Sequence, residues 1–287
     1  MLNLLRADLM RLRREKSFFV GVLAIFIVGL FAVFTTFHDN LVTTGFRTES
    51  PDELFFSESM LIGITSALFI AFFIGTEYSD GTMRNKLISG HTRVSVYFSE
   101  LITCAVGALI QHVIYLVTVT LLGSLLLGRM KTPPEQLVLI TLMSFLAVFA
   151  LASMFVMLAL LIPSKAAIAI ILIAALILLI IPLNAMDELS EPEFIDIWSI
   201  TDESGNQSNE QMPNPLYPRG VWRRIYGFMK NFFPNGQLFQ AANLLGGTEE
   251  GDGNILPIMA AFMCCSLLIT LISTGAGIIV FKRKDLK

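Results

Sequence analysis

Residues 72–93 read FFIGTEYSDGTMRNKLISGHTR. The stretch leaves an apolar run that starts near residue 57 and turns, at Glu77, into acids, a turn and basic residues. An apolar helix of about 20 residues crosses the hydrocarbon core of a bilayer. The run 57–76 has that length, so 72–93 is the point where a span ends and water begins. Similar runs occur at 18–37, 101–127, 137–162, 165–183 and 257–281. All six must be helices, because lipid offers no partner to a free backbone N–H or C=O. Composition agrees: 54% of residues are hydrophobic and 15% charged, against roughly a quarter charged in soluble domains. The expected fold is an all-α polytopic membrane protein, a single domain over 1–287, with six transmembrane helices. Pro163-Ser164-Lys165 separates the fourth and fifth runs into a tight hairpin, since 137–183 as one helix is more than twice the length a bilayer needs.

Charge gives the orientation. With the N-terminus in the cytoplasm, 13 of the 20 Lys and Arg lie on inner segments and 7 on outer ones, whereas 6 of the 23 acids lie inside and 17 outside. This fits the excess of Lys and Arg on cytoplasmic loops and places both termini in the cytoplasm. The net charge of −3 is a division between two faces and gives no sign of a nucleic-acid partner. The N-terminus is not read as a signal peptide: its apolar run exceeds a 7–15-residue h-region and ends in Phe34-Thr35-Thr36-Phe37-His38 without a small-residue cleavage site. Cys104, Cys264 and Cys265 fall inside spans and read as small apolar filler.

Residues 1–17, MLNLLRADLMRLRREKS, form an interfacial helix. Leu2, Leu5, Leu9 and Leu12 make its apolar side, and Arg6 and Arg13 its basic side toward anionic lipid. The alternative is a solvated basic leader that only fixes topology. Residues 38–56 and 128–136 are short outer loops, the second broken by Pro133-Pro134. The segment 184–256 is too long for a plain connector. Its part 187–218 is acidic and Ser/Asn/Gln/Pro-rich and is expected to be flexible. Its part 220–245 is aromatic and amphipathic, and Trp222, Tyr226, Phe232, Phe233 and Phe239 suit a headgroup belt. Two short helices on the outer leaflet, broken at Pro234-Asn235-Gly236, are expected there. The acidic GTEEGDGN at 247–254 lacks the alternating ligands of a calcium loop and reads as a solvated turn.

Catalytic signatures are missing. The chain has no HExxH, no GxSxG and no GxxxxGK[ST], so zincin, hydrolase-elbow and P-loop chemistry have no basis in it. No metal site is expected. Gly275-Ala276-Gly277 lies within a span and reads as close helix packing. Within the membrane, His112 beside Gln111 is the main ionisable candidate, with helix-to-helix hydrogen bonding as the competing role. Glu58 and Glu100 fall near span ends, where water is expected to reach them. So few buried acids argue against an ion-coupled carrier.

In the opening stretch, Ser79-Asp80-Gly81 signals a turn. Thr82 caps a short helix reaching Ser89, and Gly90 closes it. Met83, Leu87 and Ile88 share one side, with Arg84 and Lys86 exposed. A short amphipathic helix below the bilayer suits a groove on a soluble partner; an ordinary positive-inside loop is the alternative. EYSDGTMRNKLISGHTRVSVYFSEL (77–101) resembles the signature region of the type-2 permeases of ATP-binding-cassette transporters, E-Y-x-x-G-T-x-[RK]-x-x-[LI], then [ST]-[RK] and the third span. Glu77, Tyr78, Gly81, Thr82, Arg84, Leu87, Thr92 and Arg93 match it. The basic leader, six spans, the outer loop with FFPNGQ and the basic tail FKRKDLK follow the same order. The acidic insert near 187–218 is longer than the family pattern.

The resemblance implies a multi-pass permease subunit in a bacterial plasma membrane. It implies a second permease, identical or paralogous, and separate P-loop ATPase subunits that bind ATP and magnesium; this chain would hold no cofactor and catalyse nothing. Region 76–97 would be the coupling region and 82–89 the coupling helix. Met83, Leu87 and Ile88 would anchor the ATPase contact, Arg84 and Arg93 would form its polar rim, and Glu77 would tie the second span to it. The path would lie between the permeases along spans one, two and five. Phe69, Phe72, Phe73 and His112 are candidates there, with packing as the alternative for the aromatics. The expected activity is ATP-driven export of an amphipathic peptide, an antimicrobial or a lipid-like compound. The alternative is a membrane sensor or immunity protein whose outer loop binds a peptide or lipid.

Overall fold

The computed structural model describes residues 1–42, 50–162, 166–201, 207–245 and 255–284. The loop tip at 43–49, the linker Pro163-Ser164-Lys165, and the 247–254 turn lie outside them. Helix α1 (Leu2–Leu12) leads into α2 (Lys16–Val42), followed by a 3-10 turn at Pro51–Leu54, α3 (Ser59–Ser79) and the short α4 (Thr82–Ile88). Then come α5 (Arg93–Leu126), α6 (Pro134–Leu161), α7 (Ala166–Ser190), two strands, α8 (Val221–Phe232), α9 (Pro234–Leu245) and α10 (Leu256–Arg283). Among the described residues, six helices are long and apolar enough to cross a membrane: α2, α3, α5, α6, α7 and α10. This is the all-α polytopic fold expected.

The helices are longer than the apolar runs, and in α5 and α7 the physical reason is visible. α5 begins at Arg93 and not near residue 101, because Thr92 caps it: the Ser95 N–H donates to Thr92 Oγ1 at 3.2 Å. Its 34 residues rise about 51 Å, some 20 Å beyond the hydrocarbon core, so its first turns stand outside the membrane. α7 continues through Pro182 to Ser190. Neighbouring helices make an interior proline tolerable in a bundle, and α7 packs on α3 and α8.

α3, α5 and α6 form the centre, with α2, α7 and α10 more exposed around them. Phe69, Phe73, Tyr97, Tyr115 and Phe155 are fully buried. Small residues set the helix spacing. Gly107 lies under the Phe69 ring, and a Cβ there would meet it at 2.5 Å. Gly277 abuts the Tyr97 ring of α5, whereas Gly275 faces open space.

Within 187–218, expected from composition to lack regular structure, the described residues include two strands. Strands β1 (Phe194–Thr201) and β2 (Gln207–Pro213) pair antiparallel, from Phe194 opposite Pro213 to Thr201 opposite Gln207, with an irregularity between Asp196 and Trp198. Ile195, Ile197, Trp198, Ile200 and Thr201 are strong strand formers, a signal masked by the acidic composition. The two short helices are present, but the break lies at Phe233, whose backbone is extended. A residue before proline is pushed from the helical region, and Pro234 suits the first turn of α9. Asn235 and Gly236 are therefore inside α9. On α8, Val221, Trp222 and Phe228 face outward.

Candidate functional site

The short helix α4 is held at both ends by backbone geometry. Gly81 precedes it with φ 69°, a left-handed conformation that favours glycine. At its far end Gly90 has φ 91°; its N–H donates to Leu87 O at 3.0 Å and the His91 N–H donates to Lys86 O at 3.2 Å. These are the two bonds of a Schellman close, so α4 ends at Ile88 with Ser89 as its cap. Thr82 does not cap the helix; its hydroxyl donates to Glu77 O at 3.2 Å.

The faces of α4 correct the sequence reading. Met83 is 1% exposed and buried in the chain's own core, and Leu87 packs against that core. Ile88 is 72% exposed, with Arg84 and Asn85 exposed one turn before it. Lys86, expected in solvent, turns inward. Its Nζ donates to Asp8 Oδ1 at 2.8 Å, Glu77 Oε1 at 2.5 Å and Glu100 Oε1 at 2.6 Å. These acids come from α1, α3 and α5, and all three are buried. Arg11 of α1 pairs with Glu77, reaches Glu100 Oε2 at 3.4 Å and stacks over the Phe73 ring at 3.6 Å. Ser99 Oγ donates to Asp8 Oδ2 at 2.5 Å.

This cluster fastens α1, α3, α4 and α5 at one point. Burial opposes charge on Lys86, but the adjacent Glu100 and Glu77 carboxylates and the hydrogen bonds to Asp8 and Glu100 overcome it and raise the pKa of the ammonium. Asp8, Glu77 and Glu100 lie close enough together to share a cation. The Lys86 ammonium stands among them, so a metal would have to displace it. Glu100, expected near water, is fully buried because α5 starts two turns earlier than its apolar run. Asp8 escapes sequence reasoning altogether. Its only signal is positional: the buried stripe of α1 is Leu4, Asp8 and Leu12, spaced by four, and not the Leu2–Leu5–Leu9–Leu12 face, of which Leu2 is 82% exposed.

Around the cluster, the matched motif residues make internal contacts. The Tyr78 hydroxyl donates to Leu160 O at 2.7 Å. Lys284 Nζ donates to Tyr78 OH at 3.0 Å and to Leu160 O at 2.6 Å, and burial lowers its pKa to about 8. Arg93, expected on a partner-facing rim, donates to Phe281 O at 2.9 Å and to Lys284 O. It thereby satisfies carbonyls at the α10 C-terminus, where a cation is favoured.

Of the candidates for a path, only Phe72 is exposed. Phe69 and Phe73 are fully buried within the subunit and pack on Gly107 and beneath Arg11. His112 is also fully buried: Nδ1 is 2.7 Å from Glu58 Oε1, Nε2 is 2.9 Å from Ser144 Oγ, and its ring stacks on Phe56. Glu58 is likewise buried, against expectation. Near it, Asp52 accepts from the Lys131 and Thr132 N–H groups and the Thr132 hydroxyl. Burial acts to raise its pKa, but the bonds from Thr132 and Ser50 outweigh it and hold the carboxyl below its usual value.

Among the described residues, then, six membrane-length helices pack together and the short helix α4 is locked between α3 and α5. The profile of the ABC-2 family transporter proteins matches residues 4–184, from α1 into α7. The chain belongs to that family: it is a multi-pass permease subunit of an ABC transporter, a class in which ATP is handled by ATPase partners. No curated protein matches the chain.

Proposed function

We propose that the chain pairs with a second permease subunit to form the path of an ATP-driven exporter, and that α4 is the coupling helix, seated in a cleft of an ATPase subunit that binds ATP and magnesium. The observation that carries this reading is the two-sided build of α4. Ile88, Arg84 and Asn85 face outward while Lys86 and Met83 lock the helix to three other elements. An isolated exposed isoleucine flanked by a cation suits an apolar pocket with a polar rim. A push on α4 passes directly into α1, α3 and α5 through Lys86. ATP can shift the permease only if the ATPase contacts its two states differently, and a rigidly fastened helix meets that need. The Lys and Arg bias supports a cytoplasmic side for α4 and both termini, and the family resemblance supports a bacterial plasma membrane. The aromatic outer face of α8 favours an amphipathic peptide, antimicrobial or lipid-like cargo.

The test is co-purification of the permease with its cognate ATPase, followed by ATP hydrolysis in lipid. Ile88→Asp and Arg84→Glu are expected to leave the permease folded, weaken the complex at least tenfold and abolish cargo-stimulated hydrolysis. A complex that forms and hydrolyses ATP equally well with both changes would overturn the coupling assignment.

A further inference from the structure

The elbow between α1 and α2 leaves a cleft of about 230 Å³ against α5. Leu9 and Leu12 of α1, Phe18 and Phe19 of α2, and Val106 and Ile110 of α5 form its apolar wall. Among the described residues, Arg13 is the single charged residue in the lining. Phe19 is 53% and Ile110 38% exposed, so the cleft opens sideways to the bilayer. Arg13 is exposed, as are Arg14 and Lys16 beside it. Among the described residues none of these three cations has an ion-pair partner, whereas Arg11 and Lys86 are each paired with buried carboxylates.

From this geometry we infer a binding site for an anionic phospholipid of the leaflet that holds α1. The acyl chain fills the apolar wall, and the phosphate is held by the Arg13 guanidinium, whose planar fork fits phosphate oxygens. Arg14 and Lys16 set the preference for a net negative headgroup, since each basic residue near a membrane surface draws anionic lipid. A zwitterionic lipid matches the apolar wall equally well but leaves this charge unbalanced. The site also bears on the cluster described above. Leu9 and Leu12 lie on the helix that carries Asp8 and Arg11, so an acyl chain packed against them steadies the anchor of α4.

Native mass spectrometry of the detergent-purified permease tests this, with phosphatidylglycerol and phosphatidylcholine of identical chains as probes. The wild type is expected to retain one phosphatidylglycerol in preference to phosphatidylcholine by roughly fivefold or more, the worth of about one basic residue at an anionic surface. Replacing Arg14 and Lys16 together with Ala should remove most of that preference, whereas Arg13→Ala should weaken retention of both lipids. Arg6→Ala, an exposed cation of α1 outside the cleft, should do neither. Val106→Trp fills the cleft and should reduce retention of both lipids. Equal retention of the two lipids by the wild type overturns the proposal. An Arg6→Ala loss as large as that of Arg13→Ala would show general surface attraction instead of a site. Undiminished binding by Val106→Trp would remove the cleft from the account.

Discussion

Replacing Lys86 with Met removes the one ammonium shared by three buried carboxylates. In the wild type its Nζ stands 2.8, 2.5 and 2.6 Å from their oxygens, and the acids left behind are 2%, 2% and 0% exposed for Asp8, Glu77 and Glu100. Their oxygens lie within 4.8 Å of one another. At that distance, with an effective dielectric of about 20, each like-charge pair repels by about 3.5 kcal/mol. Arg11 remains but bonds only Glu77 and Glu100. Removing one partner of a buried ion pair costs about 3–5 kcal/mol, and that range is the expected destabilisation. At about 2–4 °C per kcal/mol, the melting temperature of the purified permease should fall by roughly 10 °C. The double variant Lys86→Met/Glu100→Gln takes away one uncompensated charge and should recover a substantial part of the loss. Melting curves followed by tryptophan fluorescence in one detergent provide the readout. If Lys86→Met melts with the wild type, or if adding Glu100→Gln makes matters worse by its full single-variant cost, then Lys86 does not hold this cluster together.

Two further outcomes follow from the same geometry. Met83→Asp puts an unpaired charge at a position 1% exposed and should cost more than about 3 kcal/mol, read as loss of folded material, whereas Ile88→Asp on the opposite face should stay within about 0.5 kcal/mol. Lys284 has its folded pKa lowered to about 8 by burial, against an ordinary value of about 10.4. The folded state then binds fewer protons than the unfolded chain between those values, so stability rises with pH across about 8–10.4. Melting from pH 7.5 to 10 should show that rise in the wild type and not in Lys284→Met, and a Met variant that keeps the slope would assign it to another group.

Much of this protein is legible in one dimension. Six apolar runs, the Lys and Arg bias, and the turn and closing glycines at Gly81 and Gly90 come from hydropathy, charge and backbone conformation. Those are properties of short segments, and the bilayer makes them decisive by forbidding unpaired backbone. The helix–break–helix at 221–245 is readable for the same local reason, since Pro234 acts on its own neighbour Phe233. The strand pair at 194–213 escapes a compositional reading because its strand formers sit in an acidic, Asn- and Ser-rich context.

Chain order does not reveal which way polar side chains turn. Lys86 and Arg84 look alike on a seven-residue helix, yet one is enclosed and the other open. Glu100 and Glu58 stand at the edges of apolar runs, yet both are buried. Asp8 reads as one of two acids in a basic leader until α1 is laid against α5. In each case the answer depends on a partner distant in the chain, 54 residues away for His112 with Glu58 and 91 for Ser99 with Asp8. Local chemistry is enough to set the spans, the bends and the short helix between spans two and three. Which charges that helix keeps and which it presents is settled by packing. A buried charge is tolerable only beside its counterion, and the way the helices lie together determines which counterion is near.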